Sequence, residues 1–377
     1  MHSKTYRPTY CEIDLDAIRH NCKEIRKLSS PQTKIMAIVK ANAYGHGIVE
    51  VAEALVGEQV DYLGVATVEE ALKLRHNNIK IPILILGTLL TDDEIHEAVQ
   101  NNITITVANE FIIQKIKKIT SRTQKPAKIH IDIDTGMGRI GINCKEAVNF
   151  IKEHFSDTTL CIEGLFTHFA SAARDRFFTL HQLKLFSDIV TELNENGIRI
   201  EFLHCTNSVA IVDYKLAHFN MVRSGILFYG ISPKKGFEQK MKLWPAMSLK
   251  TKIVFLKSVP RGTSISYGRT YITERDTKIA TLPIGYADGY GRILSNKAEV
   301  LIRGQQAKVV GKVTMDQTMI DVGHINDVKL GDEVVLIGCQ GKAQITSEEL
   351  AKLCGTIPYE IVCSISDRVP RIYKNLH

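Results

Sequence analysis

The sequence predicts an α/β protein, an N-terminal (β/α)8 barrel of the TIM type with an antiparallel β domain after it. Three observations predict this. Eight short apolar runs alternate with helical patterns between residue 34 and about residue 230. Beyond Gly230 helical periodicity gives way to β-rich runs bounded by Gly, Asp and Asn. The side chains most capable of chemistry fall just after the apolar runs, where such a barrel carries its site. A doubly wound open sheet satisfies the same alternation, because closure is not written in a sequence.

The eight runs are 35–39, 62–65, 81–86, 103–107, 129–133, 160–166, 202–204 and 219–222. Segments 49–55, 68–74, 94–99, 111–119, 147–155 and 183–193 lie between them, with apolar residues at three- and four-residue steps that make one helix face. The β-rich runs are 249–256, 279–282, 298–302, 307–313, 319–322 and 333–337, interrupted by one helical segment at 347–353. Residues 6–15 alternate and precede the barrel. The division expected is an N-terminal strand in 1–12 that pairs with the β domain, a barrel over 13–240 and a β domain over 241–377.

Composition narrows the class. A chain of 377 residues, 44% hydrophobic and 24% charged, buries a large core. Its net charge of +7 is spread along the length, which suits anionic small ligands, and no basic run with interleaved aromatics marks a nucleic-acid surface. Met1 to Pro8 holds no apolar core of signal-peptide length, and no run reaches membrane-spanning length. The eight cysteines form no C-x-x-C and lie mostly in apolar segments, so they read as reduced, buried thiols of a cytoplasmic protein. The histidines show no paired ligand spacing, so no metal site is expected.

Lys40 stands where the first run ends. An amine at the mouth of a buried strand is desolvated, which lowers its pKa and makes it a candidate Schiff-base former. Spacing alone favours a solvated lysine closing a strand. Tyr44 follows in the same loop, Asp134 to Arg139 follow the fifth run, Thr167-His168 the sixth, Asn207-Ser208 the seventh and Arg223-Ser-Gly225 the eighth. Ser208 and the backbone at Gly225-Ile226 lie where such barrels commonly bind phosphate. Gly136-Met-Gly-Arg-Ile-Gly141 also matches a dinucleotide loop, with Glu163 near the distance of a ribose-binding acid. Asp132 and Asp134 in the preceding run, and Arg139 among the glycines, speak against that reading. In the β domain, Tyr267, Tyr286 and Met315 sit in turn-rich segments, and Tyr359 precedes a final apolar run. Sequence alone favours an ordinary hairpin with a half-buried side chain for the first three, and Tyr359 is as ambiguous.

From Tyr6 to Tyr373 the chain resembles the alanine racemases, pyridoxal 5'-phosphate enzymes with a barrel and a C-terminal β domain. The motifs are A-I-V-K-A-N-A-Y-G-H-G around Lys40, D-T-G-M-G-R-I-G at 134–141, F-T-H-F-A at 166–170, T-N-S at 206–208 and R-S-G-I at 223–226. I-S-Y-G at 265–268, P-I-G-Y-A-D-G-Y at 283–290, T-M-D-Q at 314–317 and I-P-Y-E at 357–360 complete them.

The resemblance implies roles. Lys40 would carry the cofactor as a Schiff base, and Tyr44, Ser208, Tyr359 and the Gly225-Ile226 backbone would hold its phosphate. His168 would pack beside the ring, and Arg223 would face the pyridine nitrogen. Arg139 and Met315 would bind the substrate carboxylate, with Asp132, Tyr286 and Asp316 in support. Lys40 and Tyr267 would be the two acid/bases, and Tyr267 and Met315 would come from the partner of a homodimer. D-alanine would serve peptidoglycan synthesis. Two positions depart from the family. Asp132 stands where many members carry a carbamylated lysine, and Thr314 where a cysteine is common. A broader racemase acting on serine, a non-catalytic pyridoxal-phosphate carrier and a nicotinamide dehydrogenase remain as alternatives.

Overall fold

The computed structural model describes residues 6–234 and 236–375. Residues 1–5 of the expected N-terminal strand region, and of the stretch read for a signal peptide, lie outside the described residues.

Strand β1 (Tyr10–Asp14) leads into helix α1 (Leu15–Leu28). The barrel strands are β2 (Lys34–Ile38), β3 (Tyr62–Val65), β4 (Ile83–Ile85), β5 (Thr104–Val107) and β6 (Ala127–Asp134). The two-residue β7 (Ile142–Asn143) pairs onto β6, and β8 (Leu160–Phe166), β9 (Phe202–His204) and β10 (Met221–Ser224) complete the set. Eight of these form a parallel sheet in the order β10-β2-β3-β4-β5-β6-β8-β9. Side chains bridge the remaining seam: the Leu203 N–H donates to Asn220 Oδ1 at 2.8 Å, and Arg223 donates to His204. The sheet is therefore a nearly closed barrel. Strands β3, β4 and β5 are buried at every position, which is why they read as continuous apolar runs with no alternation.

Between strands run the turn α2 (Lys40–Tyr44) and helices α3 (Ile48–Gly57), α4 (Val68–His76), α5 (Asp92–Gln100), α6 (Glu110–Thr123), α7 (Ala147–Phe155), α8 (Arg176–Glu195) and α9 (Ser208–Asp213). Their starts are set by side-chain caps. Asp14, Thr67, Thr91, Asn109, Asp175 and Asn207 each accept from a backbone N–H in the first turn, at roughly 1 kcal/mol apiece.

The second domain holds β11 (Met247–Lys252), β12 (Phe255–Val259), β13 (Ser264–Ile265), β14 (Tyr271–Ile272), β15 (Thr277–Leu282), β16 (Glu299–Ile302), β17 (Gln305–Val309), β18 (Thr318–Asp321), β19 (Glu333–Gln340) and β20 (Ala343–Ile345). Helices α10 (Ser347–Cys354) and α11 (Pro358–Cys363) precede the final strand β21 (Arg371–Lys374). The main sheet runs β12-β15-β18-β17-β16-β19-β11-β1-β21. Here β1 pairs antiparallel with β11 and parallel with β21. Asn21, fully buried on α1, donates to the carbonyls of Phe228 and Trp244 at 2.9 and 2.8 Å and accepts from the Trp244 N–H at 2.8 Å, fixing where the chain leaves the barrel.

Two expectations need correction. The run at 249–256 is two strands, β11 and β12, because apolar residues continue through the turn at Ile253-Val254 and hide it. The apolar run after Tyr359, to which the sequence assigned no element, is the helix α11, with Pro358 in its first turn. All eight cysteines are free, but Cys161, Cys339 and Cys363 are exposed. Among the described residues no helix is long and apolar enough to cross a membrane.

Candidate active site

A cavity of about 670 Å³ opens at the C-terminal ends of the barrel strands. Lys40, Tyr44, Arg139, His168, Ser208, Arg223, Gly225 and Tyr359 all line it, so residues far apart in sequence meet around one space. The glycine loop at 136–141 leads into β7, with α7 starting only at Ala147, so no helix N-terminus caps it as a dinucleotide site requires. Arg139 of that loop faces the cavity instead.

Lys40 lies two residues beyond β2 and opens an unusual turn. Ala41, Asn42, Ala43 and Tyr44 all have φ of 53°, one left-handed helical turn built without glycine. Left-handed geometry costs about 1–2 kcal/mol per residue for side chains with a Cβ, so it persists only where surroundings hold it. The Asn42 side chain accepts from the Ile48 N–H at 3.0 Å, and Gly45 closes the turn at φ 81°. A Cβ on Gly45 would lie 2.3 Å from the Val362 carbonyl oxygen, so the turn is seated directly on α11. The turn sets Lys40 and Tyr44 along one wall. Burial, and then the nearby Arg139 guanidinium, lower the Lys40 pKa, which raises the fraction of neutral amine.

Tyr44, Ser208 and Gly225 cluster at one end of the cavity. The Tyr44 ring packs on Tyr229 at 4.8 Å and near Tyr359 at 5.9 Å. A Cβ at Gly225 would sit 2.6 Å from the Tyr44 hydroxyl, so glycine is what admits the phenol there. The Gly225 N–H donates to Ser208 Oγ at 3.1 Å. Ile226 is buried behind them, with its side chain outside the cavity lining. The Tyr44, Ser208 and Tyr359 side chains bring hydroxyls to the cavity, and no carboxylate is among the described residues that line it.

Arg223, on β10, is 4% exposed. It donates from Nη2 to the Thr167 carbonyl at 2.8 Å and from Nη1 to the His204 carbonyl at 2.8 Å. Nη1 also meets His204 Nδ1 at 2.7 Å, and Nη2 meets His168 Nδ1 at 3.3 Å. Guanidinium has no acceptor lone pair, so both Nδ1 atoms must accept. His204 then carries its proton on Nε2 and donates to His130 Nδ1 at 2.8 Å, leaving the buried His130 Nε2–H with no acceptor among the described residues. All three imidazoles are neutral: burial, and then Arg223, push His168 and His130 to about 3 and His204 well below its ordinary value. Burial brings Arg223 itself down to about 10, which leaves it charged at neutral pH. The His168 loop is held by Gln182 of α8, which donates to the His168 carbonyl at 3.1 Å and accepts from the Ala170 N–H at 2.9 Å.

Asp132 lies on β6 between His130 and Asp134, the three sharing one face by alternation. It is 3% exposed, and burial raises its carboxyl to about 7 despite the opposing pull of Arg223 and Arg139. At neutral pH this carboxyl is therefore shared between its charged and neutral forms.

The remaining expected residues are elsewhere. Tyr267 is 72% and Met315 53% exposed on the β domain, and neither lines the cavity of its own chain. Tyr286 is 42% exposed beside Met315, with the Tyr286 and Ala287 N–H groups donating to the Thr314 and Met315 carbonyls at 3.0 Å. Asp316 accepts from Arg368 at 2.7 Å. Fully buried Asp288 takes both Arg7 nitrogens, at 2.7 and 2.9 Å, and ties this rim to the N-terminal arm.

Sequence reading missed Glu70, whose carboxylate touches the Lys40 turn, and the His130–His204 pair behind Arg223. The alternation His130-Ile-Asp132-Ile-Asp134 was the available signal for the second, since it lines polar groups along an otherwise apolar strand.

A depressed-pKa amine at one wall, neutral acceptors around a locked guanidinium and a hydroxyl-rich end without carboxylates fit a phosphorylated aldehyde with an aromatic ring nitrogen. Comparison with known proteins agrees. Residues 13–233 match the model for the alanine racemase N-terminal domain, and residues 246–373 that for the alanine racemase C-terminal domain. The chain is 49% identical to alanine racemase 2 of Caldanaerobacter subterraneus, covering 97% of this chain and 95% of the relative. It is 46% identical to the alanine racemase of Halothermothrix orenii, over 100% and 99% of the two. The solved alanine racemase of Clostridium difficile superposes with a TM-score of 0.94 at 43% identity, covering 98% of this chain and 97% of that one. The chain belongs to the alanine racemase family, pyridoxal 5'-phosphate-dependent amino-acid racemases.

Proposed function

We propose that the protein interconverts L-alanine and D-alanine by a two-base mechanism, with Lys40 acting on one face of the α-carbon and Tyr267 of a second copy on the other. One observation carries this reading: Lys40 has its lowered pKa inside a cavity that also gathers Tyr44, Ser208, Gly225, His168 and Arg223, while Tyr267 stands exposed outside it.

Tyr44, Ser208, Tyr359 and the Gly225-Ile226 backbone would hold the cofactor's phosphate. Bound there, pyridoxal phosphate supplies an electron-withdrawing ring that acidifies the substrate's α C–H. Arg139, with Met315 in support, anchors the substrate carboxylate and so fixes which faces meet the two bases. With its amine free and neutral, Lys40 would take the α-proton from one side. The Tyr267 hydroxyl returns a proton from the other, and in the reverse direction the two exchange roles. Arg223 brings a donor but no removable proton at neutral pH, being held by Thr167 and His204 and charged up to about pH 10. It would therefore leave the ring nitrogen unprotonated, which limits charge delocalisation and favours prompt reprotonation over transamination. Asp132, beside Arg139 and Arg223, takes the place of the carbamylated lysine. We place the enzyme in the cytoplasm, making D-alanine for peptidoglycan.

Mixing two inactive variants tests the shared site. Lys40→Ala and Tyr267→Ala chains, dissociated and reassociated together, should recover about one quarter of wild-type sites if a C2 dimer shares residues across its interface. No recovery, with heterodimers shown to form, would place Tyr267 and Lys40 in the same chain's site or remove Tyr267 from the reaction.

A further inference from the structure

Three helices begin with Thr-x-x-Glu, and two of them close the expected capping box. Glu94 accepts from the Thr91 N–H at 2.7 Å, and Glu349 from the Thr346 N–H at 2.8 Å. Glu70 does not. Its carboxylate turns away from Thr67, taking the Ala66 N–H on Oε2 at 2.7 Å and the Ala41 N–H on Oε1 at 2.6 Å. Ala66 follows β3, and Ala41 is the first residue of the left-handed turn directly after Lys40. One half-buried side chain thus joins two neighbouring strand ends at the base of the cavity.

We propose that Glu70 is the positioning residue of Lys40, its carboxylate holding the left-handed turn in place and thereby aiming the amine and Tyr44 into the cavity. This rests on Lys40 being the cofactor lysine. The short, charge-assisted bond to Ala41 stabilises the strained residue at its start. Glu70 also acts electrostatically. The charged or titratable groups felt by the Lys40 amine are Arg139, Glu70, Cys363 and Arg223; the two guanidiniums lower its pKa, and Glu70 and Cys363 oppose them.

The test compares wild type, Glu70→Gln and Glu70→Asp. Each cofactor-free protein is mixed with pyridoxal phosphate across pH, following Lys40 adduct formation by absorbance and the dissociation constant by titration, with thermal unfolding alongside. Borohydride reduction and peptide mapping of wild type test the Lys40 reading separately; a label on another lysine overturns that reading whatever Glu70 does. Glutamine retains one acceptor and no charge, so the adduct profile should shift to lower pH and cofactor affinity fall about 10- to 100-fold, as for a misplaced reacting group. Aspartate retains the charge but is too short to bridge Ala41 and Ala66, so affinity should fall with a smaller profile shift, and it decides the case should glutamine prevent folding. Unchanged affinity and pH profile would overturn the proposal. So would a loss of thermal stability alone, which is what a purely structural cap would give.

Discussion

Replacing Asp132 by asparagine should stabilise the cofactor-free protein, and more so as pH rises. Burial holds this carboxyl at about 7 in the folded chain, against about 4 when unfolded. A carboxyl whose pKa rises on folding binds more protons in the native state, so native stability falls with pH between the two values. Its favourable contribution is complete below about pH 4 and lost as pH climbs through 7. Over that window the slope is about 1.4 kcal/mol per pH unit. Between pH 5 and pH 8 the wild type should lose roughly 2–3 kcal/mol that Asp132→Asn, neutral throughout, retains. Urea unfolding at fixed protein concentration, at both pH values, reads this directly. Equal differences between wild type and variant at pH 5 and pH 8 would refute it, and would mean that Asp132 is ionised and paired with Arg139 or Arg223 across the whole range.

Gly225→Ala should weaken pyridoxal phosphate binding roughly 5- to 150-fold, since an added Cβ 2.6 Å from the Tyr44 hydroxyl displaces a packed phenol and overpacking costs about 1–3 kcal/mol. Adding Tyr44→Phe should cost less in that background than in wild type, as a double-mutant titration would register. Arg7→Ala strips Asp288 of two bonds while Arg368 stays within 3.5 Å. It should cost about 2–3 kcal/mol in urea unfolding and raise KM by loosening the Tyr286 and Met315 rim.

Much of the barrel was legible because strands such as β3, β4 and β5, buried at every position, appear as uninterrupted apolar runs, and the remaining strands kept enough apolar residues to be read in the same alternation. What stayed hidden depends on tertiary placement. Strand closure rests on single contacts such as Leu203 to Asn220. The left-handed turn at 41–44 contains no glycine apart from its closing Gly45, so turn chemistry gave no warning. Residues 249–256 concealed a turn because both flanks are apolar. In the site, Lys40 was a lone charge at a strand end that spacing alone read as solvated, and only the family motif singled it out, whereas Glu70 looked like a helix cap. Its diversion to Ala41 depends on two strand ends lying side by side, which no local pattern records. Tyr267 was ambiguous because a phenol in a glycine-bounded turn fits an ordinary hairpin.

The most direct measurement incubates the purified protein with L-alanine and pyridoxal phosphate in heavy water and resolves the products by chirality and mass. D-alanine carrying deuterium at the α-carbon, abolished in Lys40→Ala, is the predicted result. Deuterium entering L-alanine with no D-alanine formed would show that only one face is served, and would contradict two bases on opposite sides.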